Sequence, residues 1–399
     1  MSMEHELYKI TQKVADFITG MGENGDAEFN SLALEVFEFQ YHSIEPYRKL
    51  CQRRGRTPET VQQWGEIPAV PADAFKHFSL FAGRPESVVK TFKSSGTTDP
   101  SRASKSHFSA SGLELMNAAI QVNAARMLFP DRRPTRVFIL APSPEQAPAM
   151  IMAHGMAQLM KLFGDEGSRF FVGPEGLETD SLIAELKQCQ GQAIPATLLG
   201  ASFGFVHLFD AMAAQGLRLN LPQGSRLMDA GGYKGRSREV EKEAFVDWAC
   251  ELLGLRPENL VNLLGLTEMA SQIYDGVLRR HFLTHHPRGQ NRDAAPITRV
   301  KEPPHWTRTV LVDPRQMKGG EPQPISEMGR PGLLRHLDLA NVERPMVIQS
   351  EDIGVYRRLC PKNSGDEGGS FGFEILRRVR SAEPRGCSLS MEEFEEVSR

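Results

Sequence analysis

Four hydroxyl side chains and one glycine stand together shortly after the strand-like run VVKTF. These residues are Ser94, Ser95, Gly96, Thr97 and Thr98. A flexible glycine, successive backbone N–H groups and hydroxyls can hold the oxygens of a phosphate. The GxxxxGK[ST] spacing of a Walker loop is absent, and ordinary turns often have this composition. The segment therefore predicts either a phosphate-binding loop or a polar surface turn.

A hydroxyl and a carboxylate follow a second apolar run, residues 261–264. Gly265 ends this run, and we expect Thr267 and Glu268 to open a helix. The hydroxyl can contact a phosphate oxygen, and Mg²⁺ prefers one or two carboxylates together with substrate phosphates. The same two residues could instead cap the helix and interact with its dipole. Both interpretations stay open on these residues alone.

An aspartate and an arginine occur further along the chain. Asp352 is expected at a turn after an apolar strand, and Arg378 near the end of another strand. A carboxylate can accept hydrogen bonds from both hydroxyls of a ribose. Taken singly, each residue is equally compatible with a solvated turn charge.

The order of apolar runs predicts the elements that must position these residues. Residues 1–90 place apolar side chains among charges at near-helical spacing, which predicts a helical N-terminal region. In residues 91–300 short apolar strands alternate with helices, a pattern typical of a mostly parallel sheet covered by helices. Residues 301–380 predict short strands joined by Gly/Pro turns, and residues 381–399 a short polar tail. We therefore predict an α/β fold with a β-rich C-terminal part.

Composition excludes several other classes of protein. The chain has 399 residues, with 47 Lys and Arg against 50 Asp and Glu, which disfavours nucleic-acid binding through a general positive field. No run approaches the length of about 18 apolar residues that a membrane span needs. The five cysteines are scattered without CxxC spacing, as in reduced proteins. We expect a cytoplasmic protein without a membrane span.

The four motifs occur in an order that resembles the adenylate-forming superfamily of acyl-CoA synthetases, nonribosomal adenylation domains and luciferases. Residues 198–210, 228–239 and 301–314, with the terminal EPRGCSL, are also similar to the acyl-protein synthetases of bacterial bioluminescence operons. This similarity covers roughly residues 85–390. It implies a fold of the adenylate-forming type, ATP and Mg²⁺ as cofactors, and activation of a carboxylic acid to acyl-AMP with release of pyrophosphate. The apolar and aromatic residues of 202–209 and of the Met-rich segment 149–160 suit either a fatty or an aromatic acid.

The resemblance also implies a role for each site residue. Residues 94–98 would surround the β- and γ-phosphates, Thr267 would contact the α-phosphate, and Glu268 would hold Mg²⁺. Asp352 and Arg378 would bind the ribose. The adenine slot would be lined by Gly231, Gly232 and Tyr233, and the acyl slot by Gly200, Ala201 and Ser202.

Three features depart from the superfamily pattern. The loop lysine is replaced by Arg102, with Lys105 three residues later, and the aromatic residue before GxTE is Leu264. Arginine keeps the charge and offers a fork suited to phosphate. No lysine follows Lys362, so the catalytic lysine of the usual C-terminal domain is missing from its place.

The resemblance places an acyl acceptor near the end of the chain. In acyl-protein synthetases a cysteine there takes the acyl group as a thioester, and Cys387 matches that position. The neighbouring Arg385 would lower the pKa of this thiol and favour the reactive thiolate. The acyl group could then pass to a partner protein or reductase. Direct transfer to CoA or to a carrier-protein thiol is the alternative.

A serine hydrolase is the competing interpretation. Residues 200–204 match GxSxG between an apparent strand and helix, with Ser202 as nucleophile and Asp229 as acid. The base would be one of three histidines, His281, His285 or His286. These histidines could also suggest a metal site, although no carboxylate pair completes it. A nucleotide-binding regulator without chemistry is the third possibility.

Overall fold

The structure is a computed structural model that describes residues 3–20, 25–94, 103–232, 237–285, 298–359 and 371–379. Contacts between Cα atoms divide the chain into two units. Unit 1 comprises Met1–Ala119, Leu266–Gln272 and Glu302–Arg399. Unit 2 comprises Ile120–Gly265 and Ile273–Lys301.

The described residues form ten α-helices. They are α1 (Met3–Thr19), α2 (Gly25–Ser43), α3 (Glu45–Arg53), α4 (Ala74–His77), α5 (Ala110–Met127), α6 (Ile151–Phe163), α7 (Thr179–Gln192), α8 (Ser202–Ala214), α9 (Lys242–Leu253) and α10 (Val277–His285). Helix α1 buries Ile10, Val14, Phe17 and Ile18, the spacing of one apolar face. The first four helices confirm that the N-terminal region is mainly helical.

The strands are short in the first two thirds of the chain and longer near its end. They are β1 (Val70–Pro71), β2 (Lys90–Lys93), β3 (Lys105–Phe108), β4 (Arg136–Leu140), β5 (Arg169–Phe170), β6 (Val172–Gly173), β7 (Gly176–Leu177), β8 (Ala196–Gly200), β9 (Arg226–Asp229), β10 (Leu260–Leu264), β11 (Ile273–Asp275), β12 (Lys301–Glu302), β13 (Thr307–Lys318), β14 (Glu321–Ile325), β15 (Gly332–Asp338), β16 (Val347–Arg358) and β17 (Phe371–Arg378). The run SRFFVG contains the two short strands β5 and β6.

Unit 2 is built on a mostly parallel sheet. Its strands lie in the order β11, β10, β9, β8, β4 and β5, and only the β10–β11 pair is antiparallel. Strand β8 is buried along its whole length, as expected for a parallel strand covered on both faces. Leu186 of α7, Phe209 of α8 and Leu252 of α9 share one buried cluster with Leu198 of β8 and Leu227 of β9. This topology confirms the predicted α/β class.

Unit 1 contains an antiparallel sheet. Its strands lie in the order β14, β13, β15, β16 and β17, and β1 pairs in parallel with β16. Strands β2 and β3 form a separate antiparallel hairpin. The β-rich C-terminal part is therefore confirmed. None of the described helices is long and apolar enough to cross a membrane.

Two local predictions were wrong. No helix follows Gly265, because residues 266–272 form turns before the chain enters β11. Their amide groups bond to buried side chains instead of a helical ladder: the Ala270 N–H donates to Asn341 Oδ1, 2.9 Å away. Asp352 does not lie at a turn but inside β16, since this strand continues from Val347 to Arg358 and pairs with three strands, β1, β15 and β17.

Candidate active site

The hydroxyl-rich loop starts and ends on a hairpin in unit 1. The Ser94 N–H donates to the Ser104 carbonyl oxygen at 3.0 Å, and the Ser104 N–H donates to Ser94 Oγ at 3.0 Å. Lys105 begins β3, is exposed, and stands opposite Lys93 of β2. The predicted loop residues between them, Ser95, Gly96, Thr97, Thr98 and Arg102, lie outside the described residues. The hairpin therefore fixes both ends of the loop.

Glu268 lies at the base of this loop. Its side chain is buried and accepts a hydrogen bond from the Ser104 hydroxyl. Burial raises the pKa of the Glu268 carboxyl, and the Ser104 hydrogen bond and the positive charges of Arg378 and Lys76 oppose this rise. Within unit 1 the structure thus brings together the loop base, Glu268 and Arg378, three elements that are far apart in the sequence. Thr267 precedes Glu268 in the same turn.

Asn341 holds the turn that carries Glu268. Its amide nitrogen donates to the Glu268 carbonyl oxygen at 2.8 Å, and its amide oxygen accepts from the Ala270 N–H and from the Arg344 guanidinium, each at 2.9 Å. Asn341 itself is fully buried. A buried amide that satisfies both a donor and an acceptor of the same turn fixes the backbone path. This contact determines where Glu268 stands.

Gln40 of α2 holds Asn341 in turn. Its amide nitrogen lies 2.6 Å from the Asn341 carbonyl oxygen and 2.5 Å from that of Arg344. Its amide oxygen accepts from the Met346 N–H at 3.1 Å. The side chain of Gln40 is fully buried. The N-terminal helical region is therefore a structural part of the site in unit 1.

Asp352 and Arg378 are direct cross-strand partners. Their Cα atoms pair in the register of β16 and β17, and Arg378 Nε lies 3.7 Å from Asp352 Oδ1. Burial raises the pKa of the Asp352 carboxyl, and the charge of Arg378 lowers it. The Asp352 side chain is mostly buried, whereas that of Arg378 is exposed. The sequence separated these residues, but the structure makes them one ion pair.

The predicted adenine and acyl segments both lie at the C-terminal ends of parallel strands in unit 2. Gly200 ends β8 and Asp229 ends β9, and the two are register partners. Gly231 and Gly232 follow with φ angles of 71° and 88°, values that favour glycine because other residues meet a steric penalty there. This edge of a parallel sheet is where ligands commonly bind. Tyr233 lies outside the described residues.

Asp229 is the centre of a polar network at this edge. Its Oδ1 accepts from the Ser202 hydroxyl at 2.8 Å and from the Gly231 N–H at 2.9 Å. Its Oδ2 accepts from the Asn262 amide nitrogen at 3.0 Å. Burial raises the pKa of Asp229, and these three hydrogen bonds together with the charge of Lys301 oppose the rise.

Lys301 lies behind this network. Its ammonium donates to the Asn262 carbonyl oxygen at 2.6 Å and also to Asn262 Oδ1. Burial lowers the pKa of Lys301 to about 8, although the nearby carboxylates Asp275 and Asp229 raise it. Sequence reasoning missed Lys301 and Asn262. A polar asparagine inside the apolar run LVNLL was the signal that could have revealed them.

The serine hydrolase geometry is not what the structure shows. Ser202 is the first residue of α8 and its hydroxyl donates directly to Asp229. His281 lies with its Nε2 3.5 Å from Glu258 Oε1. The His285 side chain and His286 lie outside the described residues. Among the residues described, no group of three or more His, Cys, Asp or Glu is arranged to hold a metal ion.

The described thiols do not resemble an activated acceptor. Cys51 and Cys189 are buried, and Cys250 is half-buried. Burial raises the pKa of each, that of Cys51 to about 12, which disfavours the thiolate. Cys387 and Arg385 lie outside the described residues, so the predicted acceptor stays a prediction.

Comparisons with known proteins bear on the site as a whole. A family model described as "Acyl-protein synthetase, LuxE" matches residues 17–281. The long-chain-fatty-acid–luciferin-component ligase of Vibrio harveyi is 24% identical over 359 residues, covering 89% of this chain and 85% of that protein. The ligase of the same name from Aliivibrio fischeri is 21% identical over 366 residues, covering 91% and 87%.

Similar solved structures include two synthetases. A long-chain-fatty-acid-CoA ligase (FadD1) from Archaeoglobus fulgidus aligns with a TM-score of 0.46 and 12% identity, over 74% of this chain and 53% of that chain. The amide bond synthetase Mcba from Marinactinospora thermotolerans, in a mutant form, aligns with a TM-score of 0.41 and 15% identity, over 73% and 49%. The family match confirms the predicted ligase class, and the hydrolase and regulator alternatives are not favoured.

Proposed function

This chain belongs to the acyl-protein synthetase family, and we propose that it activates a long-chain fatty acid with ATP and transfers the acyl group to a protein thiol. The single observation that carries the proposal is the placement of Glu268. A buried carboxylate stands at the base of the hydroxyl-rich loop, hydrogen-bonded to Ser104 and close to the charge of Arg378. The chain length of the acid follows the names of the two curated relatives.

Glu268 has the chemistry that a magnesium site requires. A desolvated carboxylate with a raised pKa gains most when a cation replaces the lost solvation. Mg²⁺ takes one or two protein carboxylates and completes its shell with phosphate oxygens and water. We assign Glu268 to this ion, which when bound would neutralise charge on the phosphates. The loop residues 94–98 with Arg102 or Lys105 would contact the phosphates, and Thr267 the α-phosphate.

We assign the ribose to the ion pair of Asp352 and Arg378, because a carboxylate can accept from both ribose hydroxyls and the positive charge of the arginine lowers the pKa of this carboxyl against the effect of burial. We assign the adenine to Gly231, Gly232 and Tyr233. Glycines without a Cβ permit close approach of a planar ring to the backbone.

The reaction needs positioning and charge neutralisation rather than a covalent protein group in its first step. A carboxylate oxygen of the acid attacks the α-phosphorus, the bond to the bridging oxygen breaks, and pyrophosphate leaves, which gives acyl-AMP. A thiolate then attacks the acyl carbon, the bond to the AMP oxygen breaks, and AMP leaves. The thiol proton passes to solvent. We propose Cys387 as the first acceptor and a partner protein as the second.

Exchange of radioactive pyrophosphate into ATP tests the acid-activating step. We expect exchange to depend on a saturated fatty acid such as hexadecanoate and to be weak with octanoate or benzoate. Exchange with benzoate but with no fatty acid would overturn the proposed substrate. Ester cleavage abolished by Ser202→Ala, without exchange, would overturn the ligase itself.

Intact-protein mass after incubation with ATP and hexadecanoate tests the acceptor. We expect one acyl adduct that hydroxylamine removes and that Cys387→Ala lacks. Cys250→Ala is the matched control, because Cys250 is a free, half-buried thiol, and this variant should keep the adduct. An adduct that survives Cys387→Ala would rule out the acceptor role, while exchange in the same samples would still report on activation.

A further inference from the structure

One carboxylate oxygen joins two segments of unit 2 that sequence reasoning treated separately. Oδ1 of Asp229 accepts from the hydroxyl of Ser202, at the start of α8, and from the N–H of Gly231, in the glycine turn. The distances are 2.8 Å and 2.9 Å. A shift of either segment must therefore stretch or bend a hydrogen bond to the same atom.

The backbone reinforces this junction. Gly200 and Asp229 are register partners at the ends of β8 and β9, and the Ala230 N–H donates to the Gly200 carbonyl oxygen at 2.8 Å. A Cβ placed on Gly200 would lie 3.0 Å from the Leu140 Cβ and 3.2 Å from Phe205. The start of α8 and the glycine turn are thus held at one point of the sheet edge.

The orientation of Asp229 is fixed from behind. The Lys301 ammonium donates to Asn262 Oδ1, so the amide nitrogen of Asn262 must point the other way, toward Asp229 Oδ2 at 3.0 Å. An ammonium has only donors, so it can meet only the oxygen end of an amide. The Lys301 contact therefore selects the Asn262 conformer that bonds to Asp229. The backbone N–H of Asn262 donates to Asp275 Oδ2 at 3.0 Å, which ties β10 to the end of β11.

We propose that Asp229 is a positioning residue that couples binding of the acid to binding of ATP. The inference rests on the proposed function, in which residues 200–202 contact the acyl chain and Gly231 and Gly232 contact the adenine. Ligand contact on either side of Asp229 restricts the other side through their shared oxygen atom. The first ligand to bind meets the entropic cost of ordering this part of the sheet edge, and the second ligand does not. Each ligand therefore tightens the binding of the other.

Binding of the non-reactive analogue α,β-methylene-ATP, with and without saturating hexadecanoate, measures this coupling by calorimetry. In the wild-type enzyme we expect the acid to tighten analogue binding about 10-fold, within the usual range of coupling between sites. Ser202→Ala removes one of the two hydrogen bonds to Asp229 Oδ1 and should reduce the factor to less than about 2-fold. Asp229→Ala, which removes the shared oxygen atom itself, should do the same.

Ser225→Ala is the matched control. Ser225 is also buried, and its hydroxyl oxygen accepts a hydrogen bond from the Ala196 N–H at 3.0 Å, but it precedes the opposite end of β9. Ser225→Ala should lower the free energy of unfolding about as much as Ser202→Ala does, and it should leave the coupling between acid and analogue intact. Full coupling in Ser202→Ala, or equal loss in Ser225→Ala, would overturn the inference. A wild-type enzyme that binds no analogue at all would instead overturn the proposed function.

Discussion

Glu268 in unit 1 and Asp229 in unit 2 are both carboxylates whose pKa is raised by burial, yet their surroundings differ. Asp229 accepts hydrogen bonds from a hydroxyl, a backbone N–H and a side-chain amide. The Glu268 carboxylate accepts from the Ser104 hydroxyl and its own backbone N–H, and its other influences are the charges of Arg378 and Lys76. A carboxylate occupied by protein donors positions structure, whereas one with acceptor capacity left can hold a cation.

The two units also position these carboxylates by different means. In unit 2 the ends of adjacent parallel strands bring Gly200, Asp229 and Asn262 into register. In unit 1 a buried turn is held by side chains from distant parts of the chain, Gln40 and Asn341. Strand pairing spreads the loss of one contact over many hydrogen bonds. A turn held by a few side-chain contacts is more sensitive to the loss of any one of them.

The largest expected effect separates the two carboxylates by activity. Glu268→Gln keeps the shape of the side chain and removes its charge, so pyrophosphate exchange should fall about 100- to 1,000-fold. The melting temperature should not fall, because the charged form is disfavoured where Glu268 is buried. Glu327→Gln, at an exposed glutamate, should leave both quantities unchanged. Unchanged exchange in Glu268→Gln would remove the distinction between the two carboxylates.

The second effect concerns buried bases. Lys301 in unit 2 donates to Asn262, whereas His336 Nε2 in unit 1 has no hydrogen-bond partner among the described residues. Burial lowers the pKa of His336 to about 4 from 6.5. Between these pH values the unfolded chain binds the proton and the folded chain does not, so the free energy of unfolding should fall by about 3 kcal/mol as pH drops from 6.5 to 4.

Denaturant unfolding of the wild-type chain and of His336→Gln across this range measures the effect. The variant should show a smaller loss of stability with falling pH, since its side chain does not titrate. His42→Gln, at an exposed histidine, should follow the wild-type profile. An identical pH profile of stability in His336→Gln and the wild-type chain would contradict a lowered pKa of His336 as the cause.

The third and smallest effect tests how sensitive the turn in unit 1 is. Asn341→Ala leaves the Ala270 N–H and the Glu268 carbonyl oxygen buried without their partner, so unfolding should become easier by about 2 kcal/mol. Exchange should fall as well, because Glu268 loses its support. Asn262→Ala in unit 2 is the matched comparison, and strand pairing should keep its exchange closer to wild type. The comparison fails if Asn262→Ala loses more exchange than Asn341→Ala.

The sequence predicted those parts of the molecule that have a local or periodic signal. Apolar runs such as residues 136–140 and 196–200 predicted the parallel strands. The start of α5 offers two serines as capping residues, Ser109 and Ser111, and the Gly112 N–H donates to the Ser109 hydroxyl oxygen at 3.2 Å. Composition, spacing and capping act within a few residues, so they can be read directly from a single chain.

The parts that the sequence did not predict depend on contacts between distant residues. Gln40 and Asn341 are separated by 301 positions, and no periodic pattern marks such a pair. A helix was predicted after Gly265, but the backbone N–H groups there bond to side-chain acceptors on other segments, Asn341 and Asp338. Such acceptors cannot be recognised from the local sequence. Asp352 and Arg378 were predicted to bind the same ribose, but their direct pairing across β16 and β17 was not predicted. Tertiary hydrogen bonds decided all three.

The most direct test of the central claim is the Mg²⁺ dependence of α,β-methylene-ATP binding, measured side by side in Glu268→Gln and Asp229→Asn. If Glu268 holds the cation, Mg²⁺ should tighten binding about 10-fold or more in the wild type and in Asp229→Asn, and less than about 2-fold in Glu268→Gln. Full Mg²⁺ enhancement in Glu268→Gln, or its loss only in Asp229→Asn, would contradict the assignment of roles to the two carboxylates.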